Sequence, residues 1–100
     1  DVEEILLPGM PLGAMKDFPY AVQSTRLAAG DTALLLSDGL PEWRNRRGES
    51  LDYPRIIDVL RRHGTDTPTA IIERLVAAGE DWSDGAPQAD DVTLLVIQVV

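Results

Sequence analysis

The sequence predicts an α+β fold: antiparallel strands with two helices, amounting to about half of a sandwich. Three observations predict it. Three runs read as strands, Tyr20–Leu27, Thr32–Ser37 and Asp91–Val100, and the last two flank the helical stretches. Between them, two stretches carry apolar residues at helical spacing: Tyr53, Ile56, Ile57 and Leu60, then Ile71, Ile72, Leu75 and Val76. Finally, the last run is apolar on both parities, with Val92, Leu94 and Val96 on one face and Leu95, Ile97 and Val99 on the other. Such a strand is central and covered on both sides. Two helices can cover only one face of a small sheet, and the chain has few elements left for the other.

The elements follow in order. Glu3–Leu7 is short and apolar, and Pro8-Gly9 ends it. Gly9–Gly13 is a loop, because its glycines and prolines do not fit a regular element. Tyr20–Leu27 alternates loosely and reads as a half-buried strand; Ala29-Gly30-Asp31 then supplies turn chemistry, so it is expected to form a hairpin with Thr32–Ser37. Ser37-Asp38-Gly39 is the next turn. In the first helix Asp52 is the expected N-cap and Gly64 the expected C′ residue. Thr67-Pro68 starts the second helix as cap and first-turn proline, and Gly79 is expected to end it. Asp81–Gln88 reads as a loop into the last strand.

One hundred residues make one domain and not two. The apolar share of 44% and charged share of 26% match ordinary globular chains, which excludes a disordered or fibrous class. No stretch is long and apolar enough to span a bilayer, and no secretory signal opens the chain. It begins with Asp1, as a piece cut from a longer protein would. The absence of cysteine excludes disulfides, thiolate metal sites and cysteine nucleophiles, and fits a cytoplasmic location. A net charge of −8 argues against nucleic acid and anionic membrane as partners. The bases are clustered: six of the eight arginines lie between Arg44 and Arg62, while Glu80–Val100 carries five acids and no base. Each cluster by itself reads as a solvated face.

If Thr32–Ser37 and Val92–Val99 are antiparallel neighbours, the end of one lies beside the start of the other. Asp38 and the pair Asp90-Asp91 then converge at one sheet edge. Converging carboxylates repel unless a proton or cation intervenes. With no Cys and a single His, a hard oxygen-liganded ion such as Mg²⁺ or Mn²⁺ is the natural candidate. Ser-Asp-Gly is also an ordinary turn, and Asp90-Asp91 an ordinary polar entry to a strand. The spacing alone leaves both readings open. His63 reads as a cation at a helix C-terminus, and Trp43 and Trp82 as packing residues.

The ordered set narrows the choice. Pro11-Leu12-Gly13, Gly30-Asp31-Thr32, Leu36-Ser37-Asp38-Gly39-Leu40, Glu42, Arg44-Asn45, Gly48-Glu49 and Gln88–Leu94 (QADDVTL) follow one another along nearly the whole chain. In sequence and spacing they resemble the C-terminal half of the PPM-type, metal-dependent serine/threonine phosphatases, in the bacterial branch named after sporulation stage II protein E. The resemblance implies that residues 1–100 are the C-terminal portion of one α-β-β-α sandwich domain with a dinuclear Mn²⁺/Mg²⁺ site. It implies that Asp38 and Asp90 are metal ligands, and that Asp91, where relatives often carry Asn, supports them or forms the turn. No protein nucleophile is expected, since metal-activated water attacks the phosphorus. Glu42, Arg44 and Asn45 match family positions without an assigned role.

The chain also departs from the pattern. The family's other metal ligands, including an Asp-Gly pair and a Gly-His-Gly stretch, belong to the N-terminal half, and nothing in residues 1–30 matches them. The Phe-Gly that relatives often place after Gly-Glu is replaced around Ser50–Tyr53. The expectation is therefore a Mn/Mg-dependent phosphoserine/phosphothreonine phosphatase portion, inactive alone. The resemblance suggests a phosphorylated protein substrate of the anti-sigma-factor-antagonist kind. The chain is expected to form a homodimer or to associate with the missing N-terminal half. The alternative is a non-catalytic dimerisation or partner-binding module derived from a phosphatase.

Overall fold

The structure, a computed structural model, describes residues 2–6 and 12–100. Its elements run β1 (Thr32–Leu36), α1 (Asp52–His63), α2 (Pro68–Ser83) and β2 (Leu94–Gln98). The two strands form one antiparallel sheet, and both helices lie between them in sequence. This is the α+β arrangement that the sequence predicts, with β1 one residue shorter than expected and β2 half the length of the expected Asp91–Val100 strand. Part of the Gly9–Gly13 loop and the end of the Glu3–Leu7 segment lie outside the described residues.

Register follows from which side chains need cover. Leu34 pairs with Val96 and Leu36 with Leu94, and these four pack against the helical core. Leu35 pairs with Leu95 and Ala33 with Ile97 on the opposite face. There Leu35 and Leu95 are each 52% exposed and Ile97 45%. One face of the sheet is thus covered and the other open; among the described residues β2 has β1 as its one neighbour, so it is not the central, doubly covered strand that its apolar pattern leads one to expect. The fully buried side chains, Leu40, Ile71 and Leu75, all lie outside the strands.

The turn between the helices is tied to one end of the sheet. At the cross-strand pair Thr32–Gln98, the Gln98 amide donates to Thr32 Oγ1 (3.1 Å) and to the Asp66 carbonyl (2.9 Å), while Thr32 Oγ1 donates to the Gly64 carbonyl (2.8 Å). His63 ends α1 with its Nδ1 3.2 Å from Asp66 Oδ2, in keeping with its expected helix-terminal place.

Several expectations are corrected. Tyr20–Leu27 is not a strand: these residues have no regular structure and are exposed, and β1 takes β2 as its partner. The Ala29-Gly30 turn does form, with the Ala28 N–H donating to Asp31 Oδ2 (2.8 Å), but the Gly30 N–H donates to the Val99 carbonyl, so the turn leads into the β1–β2 ladder. Gly79 does not end α2. It is buried where the helix meets Trp43, and a Cβ there would overlap Trp43 Cε3. The helix ends four residues later, where Asp84 and Gly85 both take positive φ, so the loop starts at Asp84 instead of Asp81. Asp52 is the first helical residue and not its N-cap. The preceding Leu51 is buried and its N–H donates to the Trp43 carbonyl, while the Asp52 N–H donates to the Pro41 carbonyl, so tertiary bonds set the helix entry. Gly64 sits at the C-cap with right-handed φ, its N–H on the Leu60 carbonyl, and does not take the left-handed conformation of a C′ glycine. Thr67 and Pro68 behave as expected: Thr67 Oγ1 accepts from the Ala70 N–H (3.3 Å), and Pro68 opens the first turn.

Candidate functional site

The register that pairs Leu36 with Leu94 brings the turn after β1 beside the entry to β2. Two hydrogen bonds close the junction: the Ser37 N–H donates to the Thr93 carbonyl (3.0 Å), and the Thr93 N–H donates to Ser37 Oγ (2.9 Å). Beyond it Gly39 packs on the Asp91 main chain so closely that a Cβ would overlap the Asp91 carbonyl oxygen. Carboxylate-bearing residues more than fifty positions apart thus meet at one end of the sheet. The glycine of Ser-Asp-Gly serves close approach here, because Gly39 is not among the glycines with positive φ.

Asp38, Asp90 and Asp91 are all exposed. The Asp38 carbonyl accepts from the Glu42 N–H (3.0 Å), which starts a tight turn and leaves the carboxylate outside the ladder. Asp90 Oδ1 accepts from the Asp91 N–H (2.8 Å), and the Asp90 carbonyl accepts from the Gln88 amide (2.8 Å). One Asp90 oxygen therefore shapes its own turn. Among the described residues, no group of three or more His, Asp or Glu side chains is placed to hold a metal ion. By themselves, Asp38 and Asp90 are too few for the six-oxygen shell that Mg²⁺ requires. A complete metal site does not fit on these residues alone.

A second feature follows the Asp38 turn in sequence. Residues 43–51 fold back on themselves: Arg44 bridges Ser50, and the Leu51 N–H donates to the Trp43 carbonyl (2.8 Å). Asn45 organises the tip. Its Oδ1 accepts from the N–H groups of Arg47 (2.9 Å) and Glu49 (3.0 Å), and its Nδ2 donates to Glu49 Oε1 (3.2 Å). The loop is fixed to the end of α2 by Trp82 Nε1 donating to the Glu49 carbonyl (2.9 Å) and by Arg46 Nε donating to the Asp84 carbonyl (2.6 Å). Trp82 lies beneath the Arg55 guanidinium, 4.5 Å from the ring centroid, and Trp43 is core, so both tryptophans pack as expected. Between this loop and Gly85-Ala86-Pro87 runs a cleft of about 560 Å³, lined by Arg44 and Arg46. The sequence signalled it only as part of the arginine cluster, which reads equally well as a solvated face.

Comparison with known proteins fits the motif order. Neither the curated proteins nor the solved structures returned a match. The family model described as Stage II sporulation protein E (SpoIIE) matches residues 1–100, the whole chain. With the Ser37–Thr93 junction and the aspartates beyond it in the order the motifs require, the chain belongs to the SpoIIE family of PPM-type phosphatase domains.

Proposed function

We propose that the chain is the C-terminal portion of a Mn²⁺- or Mg²⁺-dependent phosphoserine/phosphothreonine protein phosphatase, with Asp38 and Asp90 as metal ligands and Asp91 shaping the turn that presents Asp90. The observation that carries the reading is the junction of Ser37 with Thr93 and of Gly39 with Asp91, which sets the Asp38 and Asp90 turns side by side within a phosphatase family. The ions, when bound, would lower the pKa of a water so that hydroxide is available near neutral pH to attack a phosphate monoester. The chain's own residues hold and aim the site. Ser37 clamps the two strands, Gly39 permits the main-chain contact, and Asp90 fixes the direction of the β2 entry through its bond to the Asp91 N–H.

The incomplete ligand set supports a division of labour in which residues outside these hundred provide the remaining carboxylates, the bridging one included. The open face of the sheet supports the same division: the remainder of the domain, or a second copy of the chain, covers Leu35, Leu95 and Ile97. The substrate is a phosphorylated protein, and an anti-sigma-factor antagonist suits the family. Isolated residues 1–100 are then expected to bind a single Mn²⁺ weakly and to hydrolyse no chromogenic phosphate ester. Calorimetric titration with Mn²⁺ and an ester assay test this; two tightly bound ions per chain, or robust turnover, would refute it. In the complete domain, Asp38→Asn and Asp90→Asn should each abolish Mn²⁺-dependent hydrolysis, since each removes a formal charge from the ion's shell at nearly constant shape. Asp91→Asn should be milder. Full activity in Asp38→Asn would overturn the assignment.

A further inference from the structure

We propose that the cleft between the 43–51 loop and Gly85-Ala86-Pro87 is a docking subsite for acidic side chains flanking the phosphorylated residue of a protein substrate, with Arg44 and Arg46 as the recognising cations. The inference rests on the phosphatase reading for its substrate and on the cleft for its chemistry. Arg44 and Arg46 line the cleft, and neither forms an ion pair with a described residue. Arg46 is held by Nε on the Asp84 carbonyl, a neutral acceptor, so its positive charge is not cancelled by that bond. Gly85 leaves room for it, since a Cβ there would lie 2.9 Å from Arg46 Nη2. Of the acids beside the cleft, Glu49 is engaged through Oε1 by the Asn45 amide. The Asn45 bonds and the Trp82 bond fix the loop before any ligand arrives, which lowers the ordering cost of binding.

Placement gives the cleft its purpose. Arg44 is six residues past Asp38, and Pro87 three residues before Asp90. An extended chain of that length spans at most ~20 Å, so a peptide of several residues can reach from the aspartates to the arginines. The segment that carries Gly85-Ala86-Pro87 is acidic, with Glu80, Asp81, Asp84, Asp90 and Asp91 in sequence around it and −8 over the chain. An acidic substrate is repelled by such a segment unless cations lie on its path. A guanidinium recognises a carboxylate with charge-assisted, directional bonds. The reacting phosphoryl group belongs at the aspartates, which leaves the cleft to the substrate's flank.

The test is fluorescence anisotropy of labelled peptides with the 100-residue chain at low salt, which needs no turnover. One peptide carries acids around an unphosphorylated serine. A second has those acids replaced by glutamine. A third is the glutamine version phosphorylated on its serine. The acidic peptide should bind, and added salt should weaken it. Arg44→Glu should weaken it roughly tenfold, a reversal from attraction to repulsion at an exposed site read at low salt. Arg44→Lys should restore most of the loss. Arg61→Glu, the same charge change on α1 outside the cleft, should shift the affinity less than about twofold. Equal effects of Arg44→Glu and Arg61→Glu would overturn the proposal. So would acid-independent binding, or Arg44-dependent binding of the phosphorylated glutamine peptide alone. In the complete domain, Arg44→Glu should raise KM for an acidic phosphopeptide and leave hydrolysis of a small aryl phosphate unchanged. A complete domain that hydrolyses neither substrate refutes the phosphatase reading, while the binding result still decides the cleft.

Discussion

Gly39 and Gly79 show how single residues decide this structure. Both are required by close approach and neither by a left-handed backbone, which is why the sequence signal of a turn or helix-ending glycine misplaces the second. Gly79→Ala would drive a methyl group into the Trp43 ring within the core, an overpacking change expected to cost ~1–3 kcal/mol. Thermal melting of the variant measures it, and an unchanged midpoint would contradict the contact. Gly39→Ala would push instead on the Asp91 carbonyl. Its effect should reach beyond stability: separating the Asp38 turn from the Asp90 turn should reduce Mn²⁺-dependent activity of the complete domain even where the protein still melts cooperatively. Asn45 is a third case. Matching a family position with no assigned role, it proves to hold the arginine-bearing loop in shape, a role that needs the loop's path to be seen.

At the scale of elements, local signals succeeded where local energetics dominate. The α2 start is set by Thr67 and Pro68, both read directly from sequence, because an N-cap satisfies its own helix within three residues. Thr67→Ala should cost about 1 kcal/mol, seen as a fall of several degrees in Tm with the fold intact. The α1 entry departs from its local signal for the opposite reason. Asp52 has cap chemistry, but Leu51 is drawn into the core, and bonds to Trp43 and Pro41 choose where the helix begins. The Tyr20–Leu27 run fails similarly. Its weak alternation offers no face that the helices can cover, whereas β2 brings Leu94 and Val96 to the helical core beside Leu34 and Leu36.

The molecule as a whole is one sheet with helices on one side, 19 Å through its shortest dimension. The open side is the consequence. Full burial of an aliphatic side chain is worth ~1.5–3 kcal/mol, so Leu35, Leu95 and Ile97 leave a large share of ordinary domain stability unrealised in the chain alone. The proposed covering of this face predicts self-association of the isolated chain in light scattering, and its loss on Leu95→Lys. Because Leu95 is half exposed, that substitution should change the melting temperature of the dissociated chain little. A wild-type monomer with a sharp thermal transition would contradict the reading.

The sequence by itself determined the α+β class, the two helices, the apolar last strand and the Asp38 and Asp90-Asp91 turns; the antiparallel partnership of β1 with β2 is a condition it posed and the structure meets. Those elements and turns are each written in a short-range period or in a turn motif, and antiparallel pairing converts the two turns into neighbours. Only the tertiary structure decided that Gly39 and Gly79 are points of contact, that Asn45, Trp82 and Asp84 fix the loop carrying Arg44 and Arg46, and that Tyr20–Leu27 stays out of the sheet. These depend on residues tens of positions apart competing for the same space and the same hydrogen-bond partners, and no local pattern records who wins that competition.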